Sequence, residues 1–227
     1  MRRYGFHGTS HRYVSRELAK ALGKPIEELK IITCHLGNGS SITAVDGGKA
    51  IDTSMGFTPQ EGIAMGTRSG SIDPTVVTHL MKVHGYTPEQ MEDILNKKSG
   101  LLGISGLSND CRNVTEAANA GNKRAELAIN IMVNGIKKHI GAYVAEMNGL
   151  DALVFTAGIG ENQVNIRAKV CENMSYLGIE IDKEKNENFT RGIPFDLTKE
   201  GAKVATWIIP TDEEYMIAID TQRLAGK

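Results

Sequence analysis

Two glycine-containing turns in the sequence could bind a phosphate group through backbone amides. The turn Gly37–Gly39 follows a β-rich run, and its glycines would allow positive φ angles that point successive N–H groups at an anion. The segment Gly158–Asn162 leads from a second β-rich run into a predicted helix, whose free amides and positive dipole end favour an anion. Each pattern also fits an ordinary tight turn. The sequence contains no GxxxxGKS/T motif and no complete GxGxxG motif after a strand.

Arg68, His7 and His11 are polar side chains that could act beside such an anion. Arg68 lies between the small pairs Gly66-Thr67 and Ser69-Gly70, which would let its guanidinium approach a polyanion with two parallel hydrogen bonds. A surface loop arginine is the alternative. His7 could donate to a phosphoryl group or be a hydrogen-bonded histidine at a helix entrance. The four-residue spacing of His7 and His11 resembles a metal-binding helix, but no third ligand is suitably spaced, so we do not expect zinc.

Acidic residues next to predicted helix starts could serve as caps or as metal ligands. The segment Thr211–Glu214 has the pattern of a capping box, in which Glu214 would be the reciprocal cap. Glu213 is then left without a structural role, and its carboxylate could hold Mg²⁺. Asp110 is predicted to cap a helix beside a solvated Arg112.

Composition and charge exclude several functional classes. The 227 residues include 26 Lys and Arg against 27 Asp and Glu, a net charge of -1, so neither nucleic acid nor an anionic membrane surface is an expected partner. No run of 18 apolar residues is present, which predicts a soluble protein. The cysteines, Cys34, Cys111 and Cys171, are far apart and form no CxxC motif. A reducing cytoplasm is therefore the expected location.

Hydrophobic periodicity and turn residues predict an α/β domain built on a mixed sheet. The predicted strands are Lys30–Leu36, Ser41–Val45, Lys49–Thr53, Asp151–Thr156, Ile179–Ile181 and Val204–Ile209. The predicted helices are Ser10–Leu22, Pro74 to Gly85, Pro88 to Gly100, one from about Asn122, one ending near Tyr176 and one ending near Leu224. The first three strands should form an antiparallel meander, and Ser54–Ser71 should be a functional loop. Gly135 and Gly141 in the long helix suggest close packing.

Seven segments, in this order, resemble the acetate kinase family of short-chain carboxylate kinases. They are Arg3–His11 (RYGFHGTSH), His35–Ser41 (HLGNGSS), Met55–Gly62 (MGFTPQEG), Met65–Gly70 (MGTRSG), Asn109–Arg112 (NDCR), Phe155–Asn162 (FTAGIGEN) and Pro210–Glu214 (PTDEE). Several long motifs in a fixed order make this resemblance highly specific, and it covers essentially the whole chain.

The resemblance implies a ribonuclease-H-like domain of the acetate and sugar kinase, Hsp70 and actin superfamily. Residues 1–227 would form one domain, the C-terminal nucleotide-binding and dimerisation domain, and the family's N-terminal domain would be absent. With that domain would go the catalytic aspartate, the arginine that pairs with the substrate carboxylate, and the asparagine near the metal. We therefore expect a fragment whose C-terminal helix is poorly anchored.

The resemblance also assigns roles to individual residues. The phosphates would be contacted by His35, Leu36, Gly37, Asn38 and Gly39, and the adenosine would be surrounded by Asp110, Cys111, Arg112, Gly158, Ile159, Gly160, Glu161 and Asn162. His7 and Arg68 would flank the phosphoryl group during in-line transfer and stabilise its charge. Phe6 and Pro59 would line a pocket for the methyl group of the carboxylate. Glu213 would help to place Mg²⁺.

The expected activity of the parent protein is the interconversion of ATP and acetate with ADP and acetyl phosphate. The chain alone would bind nucleotide and form a homodimer but would be catalytically incomplete. Propionate or butyrate is the alternative acceptor, because one methylene group contributes only about 1–3 kcal/mol of discrimination. A non-catalytic nucleotide-binding or dimerisation module is the alternative outside the enzyme class.

Overall fold

The computed structural model describes residues 1–226, which form a mixed six-stranded sheet with helices on both faces. The strands are β1 (Lys30–Leu36), β2 (Ser40–Asp46), β3 (Lys49–Thr53), β4 (Ala152–Thr156), β5 (Phe195–Asp196) and β6 (Ala205–Ile208). The helices are α1 (Gly8–Leu22), α2 (Pro74–His84), α3 (Pro88–Lys97), α4 (Gly100–Ser105), α5 (Cys111–Asn119), α6 (Lys123–Met147), α7 (Ala157–Asn162), α8 (Val164–Cys171), α9 (Lys183–Glu187) and α10 (Glu213–Leu224).

The sheet order is β3-β2-β1-β4-β6-β5. Strands β1, β2 and β3 form the predicted antiparallel meander, whereas β4 pairs parallel with both β1 and β6. An antiparallel meander extended by parallel strands is the ribonuclease-H-like arrangement, so the predicted fold class is confirmed. The central strands β1 and β4 carry apolar residues on both faces because helices cover both sides.

Alternate residues of β1 supply two separate cores. Ile32 and Cys34 face the long helix α6 and belong to the larger apolar cluster, while Ile31 faces α1. On the α1 side, Val14 and Leu18 are fully buried against β1 and β4. Because both faces are filled, the ends of β1 and β4 are held rigidly, and the turns that follow these strands are fixed in space.

Glycines in α6 only partly follow the prediction of close packing. A methyl group at Gly135 would lie 3.2 Å from Cγ2 of Ile63, so the helix does approach the loop between β3 and α2 there. At Gly141 the same methyl group would meet no described atom within 4 Å, so the prediction of close packing is wrong at that position.

Several element boundaries differ from the predicted ones. Helix α3 ends at Lys97, because Gly100, with φ of 59°, begins the separate helix α4 instead. The helix predicted to end near Tyr176 is interrupted, and it consists of α7, α8 and a 3-10 turn at Ser175–Leu177. The predicted strand Ile179–Ile181 forms only isolated bridges. The short elements α9 and β5 are additions that the pattern did not predict.

The capping box predicted before the last helix is wrong. Asp212 is the N-cap, because its carboxylate accepts from the backbone N–H of Tyr215 at 2.8 Å. Thr211 instead forms a hydrogen bond through Oγ1 with Oγ of Ser10, at 2.8 Å. Glu214 therefore sits one residue too early to be the reciprocal cap.

Helix α10 packs against α1 and is well anchored, contrary to the prediction. Arg12 and Asp220 form an ion pair between the two helices, Tyr13 and Tyr215 meet edge to face at 6.3 Å, and Met216 is buried. No helix within residues 1–226 combines the length and apolar character needed to cross a membrane.

Candidate nucleotide and phosphoryl site

Four segments that are distant in sequence meet in a cleft of about 660 Å³ at the carboxyl ends of β1 and β4. The cleft is lined by Gly37, Asn38, Asn109, Asp110, Cys111, Arg112, Gly158, Ile159, Asn162, Gln163 and Arg191. Parallel β1 and β4 place the turn after β1 beside the start of α7, and α5 closes the third side. The structure thus brings together most of the residues that the motifs predicted to surround a nucleotide.

The turn between β1 and β2 requires glycine for a different reason from the predicted one. Neither Gly37 nor Gly39 has a positive φ angle. A side chain at Gly39 would lie 3.0 Å from Nη1 of Arg68 and 3.7 Å from Cε1 of His7. Glycine is therefore required because a side chain at this position would press against the guanidinium of Arg68 and approach the ring of His7.

Histidine side chains form a buried cluster behind this turn. The rings of His7 and His35 stack with centroids 4.0 Å apart. Nδ1 of His7 and Nε2 of His11 both lie within hydrogen-bond distance of Oγ of Ser41, at 2.9 and 2.7 Å. His35 reaches Oγ of Ser10 through Nδ1 at 2.8 Å. These bonds fix all three rings.

Burial keeps the histidine cluster neutral at neutral pH. Desolvation, with a smaller contribution from Arg68, lowers the pKa of His7. Desolvation and the neighbouring His7 lower the pKa of His35 to about 3, and burial lowers the pKa of His11 well below 6.5. His7 is thus a neutral hydrogen-bond donor or acceptor, and Arg68 supplies the positive charge.

His7 also has a strained backbone. Its φ of 59° lies in the left-handed region, and it occupies the N-cap position of α1 without forming a side-chain cap. Such a conformation costs a non-glycine residue roughly 1–3 kcal/mol and is typical of functional positions. The strain directs the imidazole toward Ser41 and Arg68 rather than toward the amides of its own helix.

Arg68 is fixed by the loop that follows β3. Its Nη1 donates to the carbonyl of Pro59 at 3.1 Å and contacts Sδ of Met65 at 3.8 Å. A side chain at Gly66 would lie 2.1 Å from Oδ1 of Asn38, so this loop packs directly on the turn after β1. The approach of Arg68 to a polyanion through its small flanking residues stays a prediction.

Asp110 and Arg112 form a rigid pair at one wall of the cleft. Asp110 caps α5 by accepting from the N–H of Arg112 at 2.9 Å, as predicted. The guanidinium of Arg112 also donates from Nε and Nη2 to the same carboxylate, at 3.0 and 2.6 Å, and these bonds lower the pKa of Asp110. Arg112 is thus paired with Asp110 while its side chain stays 78% exposed, as predicted for a solvated arginine, and its plane can stack on a base.

Residues of the Gly158–Asn162 segment divide between the cleft and the interior. Gly158 faces open space, because a side chain there would meet no atom within 4 Å. Gly160 instead lies against the carbonyl carbon of Phe155, and its added Cβ would be 3.3 Å away. Glu161 accepts from the N–H of Ala157 at 2.9 Å and does not line the cleft.

Other predicted site residues lie outside the cleft. The side chain of Leu36 is fully buried in the core, so this residue can reach a ligand only through its backbone. Phe6 lines a cavity of about 280 Å³ between α1 and the meander, whereas Pro59 lines a separate groove of about 910 Å³ beside α2 and α3. The structure does not bring Phe6 and Pro59 into one cavity.

Glu213 is half-buried at the first position of α10 and makes no side-chain hydrogen bond or ion pair with residues 1–226. In the described part of the chain no three His, Cys, Asp or Glu side chains are grouped to enclose a metal. A single free carboxylate nevertheless fits Mg²⁺, which keeps several waters and is usually held by one or two carboxylates together with substrate phosphates.

Asn109, Gln163 and Arg191 line the cleft but were not predicted as site residues. Asn109 donates from Nδ2 to Oδ1 of Asn38 at 3.3 Å, and its place beside the capping Asp110 could have indicated this position. Arg191 lies in an irregular segment after α9, and no sequence pattern marks it.

Comparison with known proteins agrees with this geometry. The model of the acetokinase family matches residues 1–219. The acetate kinase of Caldanaerobacter subterraneus subsp. tengcongensis is 60% identical over 225 residues, which are 99% of this chain and 56% of that protein. The acetate kinase of Methanosarcina thermophila is 57% identical over 224 residues, covering 99% of this chain and 54% of that protein. The chain thus spans about half the length of the curated relatives that it matches.

Solved structures give the same result. The crystal structure of Porphyromonas gingivalis acetate kinase superposes with a TM-score of 0.95 at 50% identity, covering 98% of this chain and 56% of that one. A propionate kinase from Francisella tularensis superposes with a TM-score of 0.88 at 45% identity, covering 95% and 54%. By motif order, fold and close sequence similarity, this chain belongs to the acetate kinase family.

Proposed function

We propose that this chain forms the nucleotide-binding part of an ATP-dependent carboxylate kinase that interconverts ATP and acetate with ADP and acetyl phosphate. One observation carries the proposal: the cleft of about 660 Å³ is lined by Gly37 and Asn38, and the next residue of that turn, Gly39, lies against Arg68 and His7. A nucleotide lying in the cleft with its phosphates at the turn would place its terminal phosphate beside Arg68 and His7. Asp110, Arg112 and Gly158 would border the adenosine.

Arg68 and His7 would act by stabilising charge. In phosphoryl transfer, negative charge is spread over the equatorial oxygens, and fixed donors aimed at them supply most of the catalysis. Arg68 offers a permanent cation whose position is fixed by Pro59. His7 would donate from Nε2, which requires the tautomer in which Nδ1 accepts from Ser41.

Mg²⁺, when bound, would neutralise phosphate charge, and Glu213 would help to hold it. Glu213 suits this role because the residue is half-buried and its side chain has no partner among residues 1–226. It follows Thr211, which bonds to Ser10 and through it to His35. The predicted metal ligand is therefore linked to the same end of β1 that carries the phosphate turn.

We also infer that this chain alone binds nucleotide without completing catalysis. Phe6 and Pro59, the two residues assigned to the acceptor pocket, line separate cavities, so an assembled acetate pocket needs further groups.

The three buried cysteines carry free thiols, which is consistent with a reducing cytoplasm.

The acceptor could instead be a longer carboxylate, since a propionate kinase is among the similar structures. The acceptor is identified by comparing kcat/KM for acetate, propionate and butyrate in the active protein. The kcat/KM for acetate is expected to exceed that for propionate by roughly 10- to 200-fold, which is the discrimination that one methylene group provides. A higher value for propionate would replace acetate as the substrate.

The homodimer is proposed to form through α2. This 11-residue helix contains no buried residue, although Val76, Val77, Leu80 and Val83 are apolar. Val76 and Val83 are 42% and 59% exposed, and the groove lined by Pro59 runs beside this helix. A second copy of the chain would cover this apolar surface.

Nucleotide binding is tested by calorimetric titration with Mg-ADP. Gly158→Val should weaken binding at least about tenfold, because the added side chain would project into the open cleft without a clash in the fold. Gly141→Val is the matched control, since it adds the same group to an open helical position outside the cleft. Wild-type affinity in Gly158→Val, or no binding by the folded wild type, would refute the proposal.

A further inference from the structure

Helix α7 begins with a residue in an unfavourable conformation. Ala157 has a φ of 63°, in the left-handed region that favours glycine, although it carries a side chain that is almost completely buried. It lies directly between the buried strand β4 and Gly158, the open position of the cleft. The orientation of the cleft wall therefore depends on a backbone conformation that alanine does not favour.

The carboxylate of Glu161 holds this conformation. Its Oε1 accepts from the N–H of Ala157 at 2.9 Å, and the same oxygen lies 3.4 Å from the N–H of Thr211. Glu161 is partly buried, and desolvation raises its pKa. One carboxylate oxygen thus connects the start of α7 with the segment that precedes α10.

The connection continues from Thr211 to the phosphate turn. Oγ1 of Thr211 bonds to Oγ of Ser10, which bonds to Nδ1 of His35, each at 2.8 Å. Arg167 holds the other end of α7, donating from Nη1 to the carbonyls of Gly160 and Glu161 at 2.9 and 2.8 Å. Short helix α7 is therefore fixed at both ends by charged side chains outside the cleft.

We propose that Glu161 is a positioning residue for the nucleotide cleft rather than a ligand of the nucleotide. Its carboxylate keeps Ala157 in the left-handed conformation and fixes α7 relative to Thr211, so that Gly158 and Ile159 face the cleft. This inference rests on the proposed nucleotide binding and deepens it. It also links the adenosine side of the cleft to the segment that carries Glu213.

The test compares Glu161→Ala, Glu161→Gln, Ala157→Gly and the double variant Glu161→Ala/Ala157→Gly. Glycine adopts a positive φ freely, so the double variant should not need the carboxylate. We expect Glu161→Ala to weaken Mg-ADP binding about tenfold, Glu161→Gln to weaken it less because it keeps an acceptor oxygen, and the double variant to recover most of the loss. Glu180→Ala, which removes an exposed carboxylate paired with Lys199, is the control and should bind as the wild type does.

Titrations are made well below the unfolding midpoint of each variant, so that global stability does not contribute. Unchanged affinity in Glu161→Ala would overturn the proposal. Equal losses in Glu161→Ala and the double variant would also overturn it, because they would show that Glu161 does not act through the conformation of Ala157.

Hydrogen exchange of the Ala157 amide without nucleotide separates this inference from the proposed function. Faster exchange is expected in Glu161→Ala than in the wild type, even if the wild type bound no Mg-ADP. Unchanged exchange would overturn the positioning role. Absence of binding by the wild type, with faster exchange in the variant, would refute the nucleotide proposal alone.

Discussion

The imidazole rings of His7 and His35 stack almost parallel, with centroids 4.0 Å apart and an angle of 14° between their planes. Two stacked rings at this distance cannot both carry a proton without strong repulsion, and both are largely removed from water. The pKa of His35 is lowered to about 3, first by burial and then by His7. The stack therefore requires neutral histidines.

The folded protein should lose stability as the pH falls below 6.5. An unfolded chain protonates His35 near pH 6.5, whereas the pKa of His35 in the folded state is about 3. Its contribution is therefore fully present above pH 6.5 and is lost progressively below it. By pH 5, His35 alone should lower the free energy of unfolding by about 2 kcal/mol, and His7 and His11 act in the same direction.

Urea unfolding of the wild type and of His35→Gln at pH 6.5 and pH 5 measures this contribution. Glutamine does not titrate and can keep a hydrogen bond to Ser10, so the loss between the two pH values should shrink by about 1.6 kcal/mol. The carboxylates are the same in both proteins, so their contribution to the pH dependence of stability cancels in the comparison. Equal losses would show that His35 is not the titrating group.

Removing the charge of Arg68 should raise the pKa of His7. Burial is the larger cause of the lowered pKa, and the guanidinium of Arg68 adds to it by repelling a proton on the imidazole. An NMR titration of the His7 ring in Arg68→Ala should therefore move upward from the wild-type midpoint, while Arg68→Lys should leave it nearly unchanged. Arg112→Ala, at the far wall of the cleft, is the control. An unshifted midpoint in Arg68→Ala would contradict the proximity of Arg68 and His7.

Element positions were predictable where a local signal and the tertiary structure agree. The meander follows from β-rich runs joined by glycine turns, and α2 and α3 begin at Pro74 and Pro88 as predicted. Short elements such as α4 and β5 were missed, because six and two residues are too few to show a period. The predicted capping of α10 was wrong because Thr211 and Asp212 are both favourable N-cap residues. Thr211 forms a hydrogen bond with Ser10 on a distant helix, so Asp212 is the cap.

The identities of the site residues could be predicted from the sequence, but the directions in which their side chains point could not. Motif order led to Arg68, His7 and the Gly158 turn, and the structure brings the first two together around Gly39. Motif order could not show that Glu161 faces away from the cleft, because that orientation depends on a hydrogen bond with Thr211, fifty residues later. The role of Arg191 in lining the cleft could not be predicted from the sequence, since this residue reaches the cleft from an irregular segment.

Two glycines of α6 should respond oppositely to the same substitution. Gly141→Ala adds a methyl group in open space within a helix and should stabilise the fold by roughly 0.5–1 kcal/mol. Gly135→Ala forces that group to 3.2 Å from Ile63, which is 1% exposed and has little room to move. Overpacking there should cost about 1 kcal/mol or more. Urea unfolding of the pair checks this, and equal changes in stability would contradict the close approach at Gly135.

Charged residues on α2 should separate the proposed dimer without unfolding the protomer. Val76→Asp and Val83→Glu place carboxylates on apolar positions that are 42% and 59% exposed in the single chain. Analytical ultracentrifugation should show a shift from dimer to monomer, with an unchanged circular dichroism spectrum. Leu127→Glu, at a position that is 51% exposed on α6, is the control and should stay dimeric. A dimer that persists in both α2 variants would place the interface elsewhere.

Arg167 should be among the side chains whose loss costs most stability. It is fully buried, and its guanidinium donates to Oδ1 of Asn186 at 2.7 Å and to two carbonyls at the end of α7. Burial lowers the pKa of Arg167 to about 10, so the side chain stays charged at neutral pH. Helix-end carbonyls and the ring of Phe189, 4.6 Å below the guanidinium, offset its desolvation.

Arg167→Met would leave these acceptors buried without a donor, at a cost of roughly 3 kcal/mol or more in the free energy of unfolding. Arg167→Lys should recover little, because a single ammonium cannot reach Asn186 and α7 at once as the planar guanidinium does. Phe189→Leu keeps every hydrogen bond and should cost only about 0.5–2 kcal/mol. Urea unfolding of the three variants gives the ranking, and a lysine variant as stable as the wild type would mean that charge, rather than the geometry of the donors, holds the end of α7.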